Sequence, residues 1–199
     1  MKKKCLFSNF IAIFISSIFI ASCSKDTSEV IDYNGKFKNI SGGNLINAMA
    51  GEPSNLIAMI AGDSASSAIA GNIFNSLLKY DENLNYAPDL AESWEISNNQ
   101  KTISFKLKKG LQWADGKPLT SADVLFTWKL ITNPSTRTPY ASDYQLVKKA
   151  STPDPLTFKV TYENSYAPAL DTWTSLHILP KHILKDEDIN NTFFSRKPT

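Results

Sequence analysis

The segment Thr102–Lys108 constrains the fold of this chain more than any other part of the sequence. Its apolar residues Ile103, Phe105 and Leu107 alternate with polar ones. A period of two residues is typical of a strand that buries one face and exposes the other. The sequence therefore predicts a half-buried β-strand here.

A turn and a helix are predicted directly after this strand. Asp115-Gly116 is a turn dipeptide, and Thr120 stands at a helix N-cap position with Asp123 three residues later. The next apolar residues recur at helical spacing: Val124, Leu125, Trp128 and Ile131. We interpret residues 87–130 as one strand–turn–helix unit. Its acidic residues occupy turn and cap positions. We therefore predict that the unit has a structural role and contributes no catalytic residues.

The remaining patterns predict further strands and helices. We expect a short strand at Leu45–Met49, a helix at Ser66–Lys79, a strand at Leu156–Tyr162, a helix from Pro168 to Leu176, and a helical segment from Lys181 to Lys185. These elements do not alternate regularly, as they do in a doubly wound parallel sheet. The predicted fold class is therefore mixed α/β, in the sense of α+β.

The first residues have the composition of a secretory signal. Lys2, Lys3 and Lys4 precede an apolar run, Leu6–Ile20, which is shorter than the roughly 20 apolar residues of a membrane span. The run ends in Ile-Ala-Ser-Cys, which resembles a bacterial lipobox with Cys23 as its lipidated residue. We expect a signal peptide at residues 1–22, a polar tether at 23–41 and a binding domain at 42–199. Removal of the signal peptide would leave no second cysteine for a disulfide.

The sequence contains no pattern typical of catalysis or of a metal site. A net charge of +2 gives no reason to propose nucleic acid as a partner. His177 and His182 are five residues apart with Pro180 between them, which does not suit a shared metal. Glu92 and Asp115 could be offered as a glycosidase pair, but a strand entry and a turn explain them better. We predict no enzyme activity, no cofactor and no metal.

Aromatic residues are the remaining candidates for ligand contacts. Trp94, Trp113 and Trp128 fall within the strand–turn–helix unit and are assigned to the core. Four other aromatic residues lie in less regular stretches, where a ring could stack on a ligand: Tyr140, Tyr144, Tyr166 and Trp173. For each of these taken alone, packing in the core remains the preferred interpretation.

Six segments, taken together, resemble a known family. They are Ile73–Asp81, Pro88–Glu95, Ser104–Gly110, Trp113–Val124, Thr138–Ala141 and Ile178–Leu184. In this order, within residues 42–199, they are similar to the family 5 extracellular solute-binding proteins. These are the peptide-binding receptors of oligopeptide and dipeptide ABC importers. An ordered series of motifs is far more specific than a single short motif.

The resemblance implies a type II periplasmic-binding-protein-like receptor with two lobes that close on an extended peptide. The chain would supply the first lobe, with the second lobe missing. Gly62, Asp63, Ser64 and Ala65 resemble the segment that contacts the peptide, and Tyr140 resembles the aromatic residue that lines its pocket. Because the cleft needs both lobes, we expect residues 24–199 alone not to bind peptide with micromolar affinity.

The resemblance also implies partners and a location. The partners would be a peptide ligand, ABC permease subunits and a membrane reached through the lipid on Cys23, and the protein would be a monomer. It would be anchored in the cell envelope, facing the periplasm or the exterior. Two alternatives stay open. The same fold could carry a nickel chelate, haem or a sugar oligomer, or the chain could be an envelope lipoprotein that serves as an adhesin or assembly factor.

Overall fold

The computed structural model describes residues 46–198. Its strands are β1 (Leu78–Tyr80), β2 (Tyr86–Pro88), β3 (Ala91–Ile96), β4 (Thr102–Leu107), β5 (Val147–Asp154) and β6 (Thr157–Tyr162). Its helices are α1 (Ser64–Ile73), α2 (Ser121–Thr132), α3 (Ala141–Gln145), α4 (Ala169–Ser175) and α5 (Lys181–Leu184), followed by a 3-10 helix at Phe193–Ser195. Strands β1 and β2 form a hairpin, and the other four form an antiparallel sheet in the order β3-β4-β6-β5.

The predicted half-buried strand is confirmed as β4, at the centre of the sheet. Ile103, Phe105 and Leu107 are buried with 2%, 0% and 0% exposure. Phe105 pairs with Phe158 of β6, and their ring centroids lie 6.4 Å apart. The intervening side chains of both strands are polar, so the sheet buries one face and exposes the other. The second predicted strand is likewise confirmed as β6.

The predicted turn and capped helix are also confirmed. Gly116 has φ of +81°, a conformation that glycine adopts without strain. Helix α2 begins directly after Thr120, whose backbone N–H donates to Asp123 Oδ2 at 2.8 Å. The other carboxylate oxygen of Asp123 accepts from the backbone N–H of Lys181 at 3.0 Å. Asp123 therefore joins the start of α2 to the start of α5.

Helix α4 contains Trp173, the largest fully buried side chain of the core. Trp173 is fully buried, and its ring packs against Phe105 and Phe158 of the sheet at centroid distances of 5.7 and 5.2 Å. Its indole N–H donates to the hydroxyl of Tyr162 at 3.1 Å. Of the residues considered as ligand contacts, Trp173 thus belongs to the core, in line with the preferred interpretation.

The prediction of one helix over Ser66–Lys79 is wrong. Helix α1 ends at Ile73, Phe74 is extended, and the chain continues into the β1–β2 hairpin. Leu77 and Leu78 are both fully buried, and the hairpin supplies the backbone hydrogen bonds that a longer helix would have made. The apolar residues of this segment fit a helical period although they span the end of α1 and the start of β1.

Two further differences concern strands. Residues 46–49, the described part of the expected strand Leu45–Met49, are exposed and form no strand. Strand β5 was not predicted, because Lys148, Lys149 and Pro153 hide its alternation. It pairs with β6 through two irregularities in register. The chain is nevertheless of the mixed α/β class that was expected.

Several predictions for the start of the chain lie outside residues 46–198. They are the signal peptide at 1–22, the lipidated Cys23 and the tether at 23–41. In the part of the chain that the structure describes, no helix has the length and apolar character needed to cross a membrane.

Candidate functional site

The loop before α1 places Asp63 as the cap of that helix. Its carboxylate accepts from the backbone N–H and the hydroxyl of Ser66, both at 2.7 Å, and from the hydroxyl of Ser54. The hydrogen bonds from Ser54 and Ser66 hold the pKa of Asp63 at about 2. Because this carboxylate already serves the helix start, the loop has mainly backbone groups and the Ser64 hydroxyl to offer a ligand.

Tyr140 lies against the same loop, although it is far away in sequence. Its hydroxyl donates to the backbone carbonyl of Ala61 at 3.3 Å, and 43% of the residue remains exposed. The structure therefore brings together the two segments that were predicted as a peptide site, residues 62–65 and Tyr140.

Tyr140 lines a cleft with a volume of about 530 Å³. Ligand pockets in proteins typically have volumes of about 300–1,000 Å³. The walls come from residues 58–59, helix α1, the end of α2, the Tyr140–Tyr144 segment and residues 166–177. Tyr166 reaches the cleft as a half-buried ring, whereas Tyr144 is 4% exposed and donates to the carbonyl of Thr172 at 3.1 Å.

The other predicted site residues line a different concavity. Asp63, Ser64 and Ala65 face a hollow of about 540 Å³, whose remaining walls are Ala68 and residues 47–52. Gly62 is exposed and lines neither of these two concavities. The predicted residues are thus neighbours along one loop edge, but they are divided between two depressions of the surface.

Asp171 is a cleft residue that sequence reasoning missed. The hydroxyls of Tyr80 and Tyr86 both donate to its Oδ1, the second at 2.7 Å. The hydrogen bond to Asp171 raises the pKa of Tyr86 to about 12. These bonds attach the β1–β2 hairpin to α4, which forms one wall of the cleft. The turn between Tyr80 and Tyr86 can be recognised from the sequence, but no local sequence pattern indicates that Asp171 contacts these two tyrosines.

The two histidines lie in separate environments. His177 is in the cleft wall, and burial lowers its pKa below the ordinary value. His182 Nε2 lies 2.8 Å from Asp115 Oδ2, and its ring is 6.3 Å from that of Trp113. Within residues 46–198, no three His, Cys, Asp or Glu side chains are grouped as a metal site would require.

The aromatic residues assigned to the scaffold pack as expected. Trp94, Trp113 and Trp128 are half-buried and lie against the core. The indole of Trp128 donates to the carbonyl of Tyr144 at 3.2 Å. Glu92 is an exposed residue of β3, and Asp115 accepts from the backbone N–H of Lys117 at 3.1 Å. These placements agree with the strand and turn roles predicted for the two acids.

Solved structures of similar architecture define the class of protein. The structure resembles the oligopeptide-binding protein AppA of Bacillus subtilis in complex with a nonapeptide, with a TM-score of 0.69 and 29% identity over 74% of this chain and 30% of that chain. It also resembles NikZ of Campylobacter jejuni in complex with Ni(L-His), with a TM-score of 0.60 and 31% identity over 63% of this chain and 25% of that chain. The fold is part of a type II periplasmic-binding-protein architecture.

Sequence comparison gives the family. The family described as bacterial extracellular solute-binding proteins, family 5 Middle, matches residues 85–199. The Bacillus subtilis oligopeptide-binding protein AppA is 32% identical over 191 residues, which are 92% of this chain and 35% of that relative. The chain belongs to family 5 of the bacterial extracellular solute-binding proteins, and it spans about a third of the length of this relative.

Proposed function

We propose that the chain is part of the substrate-binding component of an ABC importer, which captures oligopeptides or dipeptides outside the cytoplasm and delivers them to the permease. Family membership supports a solute-binding role. The main support for the site is the contact between Tyr140 and the loop before α1. This contact places an exposed aromatic ring, which lines the cleft, beside the loop in which Gly62 and Ser64 are exposed.

Recognition through the backbone suits a receptor that accepts many peptide sequences. An extended peptide can pair its main chain with that of a receptor, which gives affinity without demanding particular side chains. Gly62 and Ser64 are exposed, and a Cβ added at Gly62 would meet no atom within 4 Å. In this proposal Gly62, Asp63, Ser64 and Ala65 offer backbone groups and Tyr140 offers its ring.

The proposed protein binds and releases its ligand without chemical change. A second lobe outside this chain would close over the ligand, and the closed state would be favoured by its higher affinity for the ligand. We also propose a signal peptide at residues 1–22, a lipid (palmitate) attached to Cys23, and a tether at residues 23–41. These would hold a monomeric domain, residues 42 onwards, at a membrane of the envelope.

Mass spectrometry of ligands that co-purify with the complete protein tests this function. We expect peptides, and we expect fewer of them with Tyr140→Ala because that variant loses the ring at the cleft mouth. Lys159→Ala, on the exposed face of β6, is the matched control and should retain the wild-type peptide load. A wild-type protein that carries no peptides would contradict the proposal.

A metal chelate is the second candidate cargo. Its support is the similarity to NikZ, at an identity close to that of the AppA structure. Elemental analysis of the same purified protein separates the two candidates. Stoichiometric nickel without peptides would favour the chelate, whereas peptides without bound metal would favour the first proposal.

The lipid anchor has its own test. Cys23→Ser removes the thiol to which a lipid would be attached. We expect this variant to leave the membrane fraction, while Cys5→Ser, within the proposed signal peptide, should not. Equal membrane retention of Cys23→Ser and wild type would contradict lipidation at Cys23.

A further inference from the structure

Helix α4 forms a large part of one wall of the cleft that Tyr140 lines. Four residues of this helix line the cleft: Asp171, Thr172, Thr174 and Ser175. The helix has only seven residues, and its N-cap residue, Pro168, supplies no side-chain hydrogen bond. A helix this short is not stable by itself in water. Its position, and with it the shape of the cleft, therefore depends on contacts with neighbouring elements.

Two of these contacts attach α4 to the sheet and to α3. Trp173 packs in the core, and its indole N–H donates to the Tyr162 hydroxyl at 3.1 Å. The carbonyl of Thr172 accepts from the Tyr144 hydroxyl, also at 3.1 Å. Neither contact reaches the β1–β2 hairpin, which adjoins α4 as well.

Asp171 joins α4 to this hairpin through two hydrogen bonds on one oxygen. The hydroxyls of Tyr80 and Tyr86 both donate to its Oδ1, the second at 2.7 Å. The two tyrosines are paired across the hairpin, and their ring centroids lie 5.6 Å apart. Hydrogen bonds to an ionised carboxylate are stronger than those between neutral groups. Neither tyrosine is among the residues that line the cleft, so each would affect a bound ligand indirectly, through α4.

We infer that Asp171 is a positioning residue of the ligand site: the bonds from Tyr80 and Tyr86 hold α4 in place, so that this wall of the cleft is formed before a ligand arrives. The apparent affinity of a ligand falls in proportion to the fraction of the protein that is competent to bind it. Breaking the two bonds frees α4 to leave its position and lowers that fraction. The inference rests on the proposed function, and it adds two tyrosines that set the affinity although the ligand does not touch them.

Calorimetry of the complete protein, freed of bound ligand, with pooled peptides of random sequence, from dipeptides to nonapeptides, tests the inference. Tyr80→Phe and Tyr86→Phe each remove one hydroxyl and keep the ring. We expect each variant to bind about threefold more weakly than wild type, and Asp171→Ala, which removes the shared acceptor, about tenfold. Lys79→Ala is the matched control and should bind like wild type, because Lys79 is the exposed neighbour of Tyr80 in β1 and does not line the cleft.

Combined variants separate positioning from direct contact with the ligand. If the tyrosines act through Asp171, the variant with all three substitutions binds no more weakly than Asp171→Ala alone. Asp171→Asn keeps an oxygen that can accept from the two hydroxyls, and it should bind more tightly than Asp171→Ala. If Asp171→Ala weakens binding while Tyr80→Phe and Tyr86→Phe bind like wild type, the carboxylate acts on the ligand itself, and the inference is overturned. A purely structural role would lower the free energy of unfolding and leave the affinity of the folded protein unchanged.

Hydrogen exchange of the unliganded protein gives a second readout that needs no ligand. In the double variant Tyr80→Phe/Tyr86→Phe, we expect faster amide exchange in residues 171–177, while residues 102–107 of the central strand exchange as in wild type. Unchanged exchange in residues 171–177, or faster exchange there with unchanged peptide affinity, would overturn the inference and leave the proposed function standing. A wild-type protein that binds no peptide of the pool would overturn both.

Discussion

Replacing Asp123 by alanine tests how the strand–turn–helix unit is joined to the end of the domain. Asp123 is 5% exposed, and its two oxygens serve different segments. Oδ2 accepts from the backbone N–H of Thr120 at 2.8 Å, and Oδ1 accepts from that of Lys181 at 3.0 Å. The variant removes both acceptors at once and leaves two backbone donors of helix starts without partners.

The expected loss of stability follows from these two bonds. Loss of a helix-capping interaction costs about 0.5–2 kcal/mol, and a partly buried donor left unpaired costs about 1–3 kcal/mol. We therefore expect Asp123→Ala to lower the free energy of unfolding by about 3 kcal/mol. Asp123→Asn should lose about half as much, because the amide oxygen can still accept from one of the two donors.

Urea unfolding followed by tryptophan fluorescence measures this loss, provided that the m-value is unchanged. Asp186→Ala is the control, because its side chain is 83% exposed and pairs only with Lys185, at 3.6 Å. It should stay within about 0.5 kcal/mol of wild type. If Asp123→Ala also stays within that limit, the bonds to Thr120 and Lys181 make no net contribution to stability, which would contradict the expected loss.

Three further predictions concern the core, the cleft wall and a turn. Trp173→Ala should lower the unfolding free energy by about 3–5 kcal/mol because a fully buried ring is lost; a loss below about 1 kcal/mol in urea unfolding would contradict this. Burial lowers the pKa of His177 below 6.5, so the unfolded chain binds the extra proton and stability falls as the pH drops below 6.5. His177→Gln should flatten the wild-type decline in unfolding free energy between about pH 7 and pH 5, and parallel curves would argue against the assignment. Gly116→Ala should cost about 1 kcal/mol or more because φ is +81°, whereas Gly51→Ala, which meets no atom within 4 Å and has no positive φ, should cost less in the same assay.

The elements that sequence reasoning predicted correctly are those with local signals. The alternation in β4 is complete within six residues, and the start of α2 is marked by Thr120 and Asp123 within a single turn. The end of α1 could not be located in this way. The apolar residues Ile73, Phe74, Leu77 and Leu78 fit a helical period, yet the last of them begins β1.

The candidate site was predicted only in part, because its contacts join distant segments. The Tyr140 hydroxyl and the Ala61 carbonyl are 79 residues apart, and Tyr86 and Asp171 are 85 residues apart. No periodicity reports such pairs. The family resemblance supplied Tyr140 and residues 62–65, but it supplied neither Asp171 nor the division of the site between two concavities.

Hydrogen exchange of the complete protein, with and without a saturating peptide that co-purifies with it, tests whether the ligand binds between the loop before α1 and the segment that carries Tyr140. We predict slowed amide exchange in residues 61–65 and 138–144 when the peptide is bound. Unchanged exchange in both segments, with protection confined to other parts of residues 46–198, would contradict this position of the ligand.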